Sequence, residues 1–293
     1  MYENKKLGFM FVLPFVIGLL TFKLFPFIAS FALSFTKYDM INGTGEYVGL
    51  KNFTDMFLVD KLFRKSFGVT LFFAIASVPL RLIMALFVAN VLNFKLKGIN
   101  FFRTAYYLPS VLGGSIAVSI LWRFIFSHHG LINVILHNFG IEPIPWLGDE
   151  HLAIWTIVLL HVWQFGSAMV IFLAALQNVP ASLYEAAAID GTSKMQMFFR
   201  ITIPLITPVI FFNLIVQTVH AFQEFNAPYI ITQGGPMKST YLLSYYIYET
   251  CFRYFNMSYG SALAWIMFIA IASLGAISFW SSKYWVYYSD ERR

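Results

Sequence analysis

The sequence predicts an all-α integral membrane protein with six transmembrane helices, and three observations predict it. Only 12% of its 293 residues are charged, 59% are hydrophobic, and mean hydropathy is +0.69. Soluble domains carry about 25% charged residues, so this chain has too little polar surface to cover a body in water. Its apolar residues also fall in continuous runs that suit helices of about 20 residues, whereas barrel strands alternate over about ten. Finally, Lys and Arg are divided unevenly among the segments that join these runs, as in a multi-pass protein.

The spans are expected at about Leu7–Ser34, Ser66–Leu92, Thr104–Phe126, Leu152–Leu176, Ile203–Phe222 and Gly260–Trp280. The first is over-long and interrupted by Lys23 and Pro26, so its outer third is expected to bend or to lie along the interface. Its apolar stretch also exceeds the 7–15 residues of a signal-peptide core, so it reads as an uncleaved span. Arg81 in the second span and Arg123 near the end of the third are read as snorkelling or bonding backbone carbonyls. No compositional break divides the chain, and residues 1–293 read as one transmembrane domain.

Orientation follows from charge. With the N-terminus in the cytoplasm, the inside segments hold ten basic residues: Lys5, Lys6, Lys95, Lys97, Arg103, Lys194, Arg200, Lys283, Arg292 and Arg293. The outside loops, which are longer, hold seven, and acidic residues run the other way, nine outside against five inside. Both termini are therefore expected on the cytoplasmic side of the membrane. The net charge of +6 is explained by this distribution and does not imply a nucleic-acid partner. A single cysteine, Cys251, excludes an internal disulfide framework and any all-cysteine metal site.

Between the fourth and fifth spans lies a polar interruption, "PASLYEAAAIDGTSKMQMFFRITIP", from Pro180 to Pro204. Pro180 suits a first helical turn, where a missing N–H costs nothing. Gly191 sits where a helix end favours positive φ. Ser193 with Gln196 three residues on forms a capping-box pattern that starts a second helix, and Pro204 marks the fifth span. The predicted result is a cytoplasmic helix-turn-helix. Ala186, Ala187 and Ala188 make a nearly bare face flanked by the acceptors Glu185 and Asp190. Residue chemistry alone leaves two readings open, a connector or a docking helix, because small residues permit close contact without requiring it.

The segment resembles the signature of bacterial ATP-binding-cassette importer permeases: E-A-A, three residues, G, nine residues, then I-x-L-P. Glu185, Ala186, Ala187, Gly191, Ile201 and Pro204 match at that spacing, and Ile203 replaces the leucine. "RTAYYLPS" before the third span, "GLIN" at Gly130–Asn133, "PASLYEAAAIDG" and "TQGGP" at Thr232–Pro236 extend the resemblance to carbohydrate permeases of the maltose-permease type. The resemblance implies a type I ABC importer permease fold, with Glu185–Gly191 as a coupling helix seated in a nucleotide-binding subunit. It also implies four partners besides the lipid bilayer and a carbohydrate substrate: a second, similar permease, two ATP-binding subunits and an extracytoplasmic solute-binding protein.

The chain has no G-x-x-x-x-G-K-[ST], so ATP and Mg are expected in a partner ATPase and this chain is expected to hold no cofactor. The six histidines form no H-E-x-x-H pair, no Ser/His/Asp set is visible, and no metal or catalytic site is expected. Polar residues within spans mark a possible substrate path, since they are costly in lipid. Asn213, Gln217, His220 and Glu224 recur at i, i+4, i+7 and i+11 on one face of the fifth span. His161, Gln164 and Ala168 form a shorter strip on the fourth, beside Trp163, and the third adds Ser115 and Ser119. Amide, carboxyl and aromatic groups suit the hydroxyls and the apolar ring face of a sugar, although polar side chains also join helices. Gly234, Gly235 and Pro236 form a turn in an outside loop, read either as a contact for the binding protein or as a tight turn with glycine at positive φ.

The expected function is therefore half of an ATP-driven sugar or oligosaccharide path, and not an enzyme. Alternatives are the same architecture carrying a sugar phosphate or an acidic oligosaccharide, or an ion-coupled secondary sugar transporter. The only acidic residue near a span for such coupling, Glu224, sits at a span's end. A membrane enzyme would need a clustered catalytic set, which is not visible.

Overall fold

A computed structural model describes residues 5–39, 42–94 and 98–287, with side chains from residue 9 onward except that of Asp39. Lys95, Lys97, Arg292 and Arg293, four of the cations used to orient the chain, lie outside the described residues, as do the side chains of Lys5 and Lys6. The chain divides into two compact units, one within Met1–Arg64 and Tyr246–Ile269, the other within Lys65–Tyr245 and Ala270–Arg293.

In the first unit, α1 (Lys5–Leu19) continues through a π-helical turn, Leu20–Leu24, into α2 (Phe25–Ser34). The bend expected near Lys23 and Pro26 is instead this π turn within one helix, Phe9–Ser34. Pro26 explains it, because proline cannot donate to the carbonyl four residues back and its ring crowds that carbonyl. A widened turn relieves both conflicts. Trp265 packs between Phe27 and Phe31, each at 4.6 Å between ring centroids, and donates from Nε1 to Ser30 Oγ at 3.2 Å. A hairpin of β1 (Thr36–Asp39) and β2 (Thr44–Tyr47) follows, which the all-helical expectation missed. Its signal was present in Asn42-Gly43, a pair that favours the positive φ a tight hairpin needs, and Gly43 stands at +65°. Asn52 donates to the carbonyls of Ser34 and Thr36 at 2.8 and 2.9 Å, holding the end of α2 to α3 (Lys51–Leu58).

At the start of α4 (Lys61–Leu92), Asp60 Oδ1 accepts from the N–H groups of Leu62 and Phe63. Its Oδ2 accepts from the hydroxyls of Tyr246 and Tyr259 at 2.6 and 2.5 Å. Burial opposes ionisation of Asp60, but these four donors outweigh it and hold the carboxyl below its ordinary range.

In the second unit, two expected spans are broken. The third is α5 (Ile99–Leu112) and α6 (Ile116–Ile125), bent by 101° at Gly113-Gly114. The fourth is α8 (Glu150–Trp163) and α9 (Gly166–Gln177), bent by 42° at Gln164-Phe165. Continuous apolar character concealed both breaks, and a six-span count holds only when each bent pair counts as one span. Between them, α7 (Leu131–Asn138) starts at Gly130. A Cβ at Gly130 would collide with the carbonyls of Phe124 and Ile125. Asn133 of the same motif donates to the carbonyls of His128 and Ile144 and accepts from Ile144 N–H and Trp146 Nε1. "GLIN" is thus a stapled turn.

α10 (Ala181–Ile189) and α11 (Lys194–Met197) form the helix-turn-helix. α11 does not end before the fifth span. It runs through a π turn, Phe198–Thr202, into α12 (Ile203–Phe222) as one helix from Lys194 to Phe222, with Pro204 just beyond that turn. α13 (Leu243–Tyr248) and α14 (Met257–Trp285) complete the chain.

Candidate functional site

The 180–204 loop folds by local chemistry. Pro180 stands one position earlier than expected, at the N-cap of α10 with φ −59° and ψ 128°. At the other end, Gly191 has φ +72° and donates to the Ala188 carbonyl at 3.1 Å, while Thr192 donates to Ala187 at 3.0 Å. These are the paired bonds of a Schellman ending. Ser193 Oγ accepts from Gln196 N–H at 3.4 Å and Gln196 Oε1 accepts from Ser193 N–H at 3.0 Å, completing the predicted capping box. Tyr184 and Thr202 hydroxyls meet at 2.8 Å, tying α10 to the foot of α12.

Glu185, Ala186, Ala188, Asp190 and Gly191 are exposed, while Ala187 and Pro204 are half-buried. A Cβ at Gly191 would meet nothing within 4 Å. Ile189, which sequence reasoning passed over, is 88% exposed at the tip of the loop. Its signal was an aliphatic residue directly before Asp-Gly, in a segment otherwise read for its small and acidic side chains.

The residues expected along a substrate path separate into two groups. Asn213 and Gln217 are buried in the second unit, at 0% and 3% exposure. Asn213 donates back to the Val209 carbonyl at 3.0 Å, and Asn213 Oδ1 and Gln217 Oε1 have no partner among the described residues. His220 on the same helix is exposed. The face predicted as continuous therefore has a buried half and an open end.

Gln164 and Glu224 meet instead around the two helix breaks, where a small closed pocket is lined by Gly113, Ser119, His161, Gln164, Glu224 and Ala227. Helix breaks leave carbonyls without intrahelical donors, and in lipid these must be satisfied within the protein. Gln164 Nε2 donates to Gly113 O at 2.9 Å, and Asn226 Nδ2 donates to Gly114 O at 3.1 Å. Arg81 Nη2 donates to Gln164 O at 2.6 Å, and its Nη1 lies 3.0 Å from His161 Nε2. Arg123 likewise donates to Ile230 O at 3.3 Å, so both arginines bond backbone carbonyls as expected. Glu224 Oε1 accepts from Ala227 N–H, and its carbonyl accepts from Ser244.

Ser115 is used as the N-cap of α6, accepting from Val118 N–H at 3.3 Å, and Ser119 is buried. Trp163 keeps 37% exposure, with its ring 5.7 Å from Trp122. Asn226 was missed by sequence reasoning, since nothing in its surroundings marks a bond to a residue 112 positions away.

In the outer turn, Gln233 and Gly234 have φ of 52° and 78°. A Cβ at Gly234 would lie 2.6 Å from the Tyr241 ring, so that glycine answers a close approach as well as a turn. Among the described residues no group of three or more His, Cys, Asp or Glu is placed to hold a metal ion.

Comparison with known proteins adds to this geometry. The model of the family described as "Binding-protein-dependent transport system inner membrane component" matches residues 81–286. The chain is similar to a probable ABC transporter permease, YesP of Bacillus subtilis, with 47% identity over 97% of this chain and 93% of that one. A lactose transport system permease, LacF of Rhizobium radiobacter, is 37% identical over 94% of each chain. An arabinooligosaccharide transport system permease, AraP of Bacillus subtilis, is 35% identical over 94% of this chain and 88% of that one. Among solved structures, a bacterial alginate ABC transporter in complex with a pentasaccharide-bound periplasmic protein superposes with a TM-score of 0.84 at 21% identity, covering 96% and 95% of the two chains. These relatives are transporter permeases, not enzymes.

Proposed function

We propose that this chain, which belongs to the family of binding-protein-dependent transport system inner membrane components, is one half of the translocation path of an ATP-driven sugar or oligosaccharide importer. The names of the lactose and arabinooligosaccharide permeases support a carbohydrate cargo. Both termini face the cytoplasm, residues 1–293 form a single transmembrane domain, and the path is completed by a second, similar permease. Two separate subunits bind ATP and Mg, and a solute-binding protein delivers the sugar, touching the outer turn at Gly234, Gly235 and Pro236.

The observation that carries the coupling role is the loop tip: an exposed Glu185–Gly191 helix ends in Ile189, 88% exposed, beside a glycine with open space around it. An isolated aliphatic side chain on a rigid, capped helix suits an apolar pocket on a partner. Glu185, Ala186, Ala187 and Asp190 surround it, and Pro204 lies just past the π turn in the helix that the movement would turn. Closure of the ATP-binding subunits would pull on this helix and, through the Tyr184–Thr202 contact and the continuous Lys194–Phe222 helix, rock α12. Such coupling requires that the partner bind two packings of the chain with different affinity. Along the path, Trp163, Gln164, Asn213, Gln217, His220 and Glu224 are the groups assigned to sugar contact.

The test is sugar-stimulated ATPase activity of the reconstituted complex, comparing wild type with Gly191→Asp. Stimulation is expected to vanish while the variant still inserts and assembles. Normal assembly with normal stimulation would make the loop a plain connector.

A further inference from the structure

At the foot of the second unit, the end of α4, the end of α9 and the start of the Lys194–Phe222 helix line an open cavity of about 220 Å³. Its polar lining includes Asn90, Asn93 and Lys194, and none of these three side chains has a hydrogen bond or ion pair among the described residues. Its apolar lining includes Phe94, Leu176 and Phe198, and Phe94 is 58% exposed. Tyr184 and Thr202, already bonded to each other, form part of the wall. Among the described residues no acidic side chain lines the cavity, and Lys194 brings a positive charge to it. Leu92 and Lys194 are terminal residues of two helices long and apolar enough to cross a membrane, so the cavity lies at the ends of two candidate spans.

We propose that this cavity holds the phosphate headgroup of an anionic phospholipid, with an acyl chain leaving along Phe94 and Phe198. The two half-buried amides and the exposed ammonium supply donors that a phosphodiester accepts. Basic clefts between helices at the ends of spans are suited to such headgroups. A free phosphate would satisfy the same donors but leave the aromatic wall uncovered. The helix flanking the site is a π turn at Phe198–Thr202, a local widening of the ladder that recurs at functional positions. Because the same wall carries Tyr184 of α10, an occupied headgroup site would brace the loop against α12. This assignment does not rest on the coupling role of that loop.

The experiment is native mass spectrometry of the purified full-length chain with dioleoyl-phosphatidylglycerol, dioleoyl-phosphatidylcholine or sodium phosphate, on wild type, Lys194→Ala, Lys194→Arg and Asn93→Leu. Wild type is expected to retain phosphatidylglycerol over phosphatidylcholine. Lys194→Ala should cut that retention about five-fold, the scale of one basic residue near an anionic surface. Lys194→Arg should preserve retention, and Asn93→Leu should weaken it. Equal retention of the two lipids, or an unchanged Lys194→Ala, overturns the proposal. Displacement of the lipid by millimolar phosphate makes this an inorganic-anion site instead. Loss of the lipid when the ATP-binding subunits are added would mean that a protein segment fills the cavity, and also overturns it.

Discussion

The 180–204 loop and the breaks in the third and fourth spans both redirect the chain, by opposite means. In the loop, every turn-forming bond lies within six residues of its partner, as in Thr192 to Ala187 or Gln196 to Ser193. At the breaks, the carbonyls of Gly113, Gly114 and Gln164 are satisfied by Gln164, Asn226 and Arg81, from 51 to 112 positions away. The loop carries its instructions with it, whereas the breaks borrow theirs from distant parts of the chain. A substitution in the loop should therefore act mainly on what the loop touches, and one at a break should act on whether the unit holds together.

The largest effect is expected at Gly166, where α9 crosses α5. A Cβ there would lie 2.6 Å from the Tyr106 carbonyl oxygen and 2.8 Å from Tyr107 Cα, both backbone atoms with little freedom to move. Gly166→Val should cost about 3 kcal/mol. In detergent this should appear as a sharp loss of monodisperse protein on heating. A variant as heat-resistant as wild type would mean that the helices separate at that crossing without cost.

Gln164→Leu comes next. It keeps the volume but withdraws the donor from Gly113 O, stranding a carbonyl at a bend of 101°. The expected cost is about 2 kcal/mol, read as a lower melting temperature. Gln164 is also assigned to the sugar path, and a purely recognition role would leave melting unchanged while weakening sugar stimulation.

Much of this difference explains what could be read from the sequence. The first, second, fifth and sixth spans, the capping box at Ser193–Gln196 and the positive φ of Gly191 follow from nearest-neighbour chemistry. The breaks in the third and fourth spans do not, because Gly-Gly and Gln-Phe in an apolar run are compatible with a continuous helix until distant donors offer an alternative. For the same reason the polar face of α12 was legible as a face, while the burial of Asn213 and Gln217 and the exposure of His220 depend on what packs against it.

A smaller effect is expected at Asp60, whose partners are both local and remote. Asp60→Ala removes an N-cap and two tyrosine hydrogen bonds and should cost about 1–2 kcal/mol. Because the folded carboxyl titrates below its ordinary value, its stabilisation is fully present above about pH 4 and is lost as pH falls through the folded value. Melting temperature followed downward from pH 6 should fall more steeply for wild type than for Asp60→Ala. Parallel curves would assign the acid sensitivity to other groups.

The smallest stability change is expected at Gly191, and there it separates two reasons for a glycine. Its φ of +72° disfavours most side chains, so Gly191→Ala should cost about 1 kcal/mol. Asparagine tolerates that conformation, and a Cβ at this position meets nothing within the chain, so Gly191→Asn should melt within about 0.5 kcal/mol of wild type. If the glycine served the turn alone, Gly191→Asn would also couple normally. With Ile189 beside it pointing away from the fold, the space around Gly191 is the space a partner would occupy. Gly191→Asn should therefore keep its melting temperature and lose most of its sugar-stimulated ATPase activity in the assembled complex, whereas Gly166→Val should lose the protein itself.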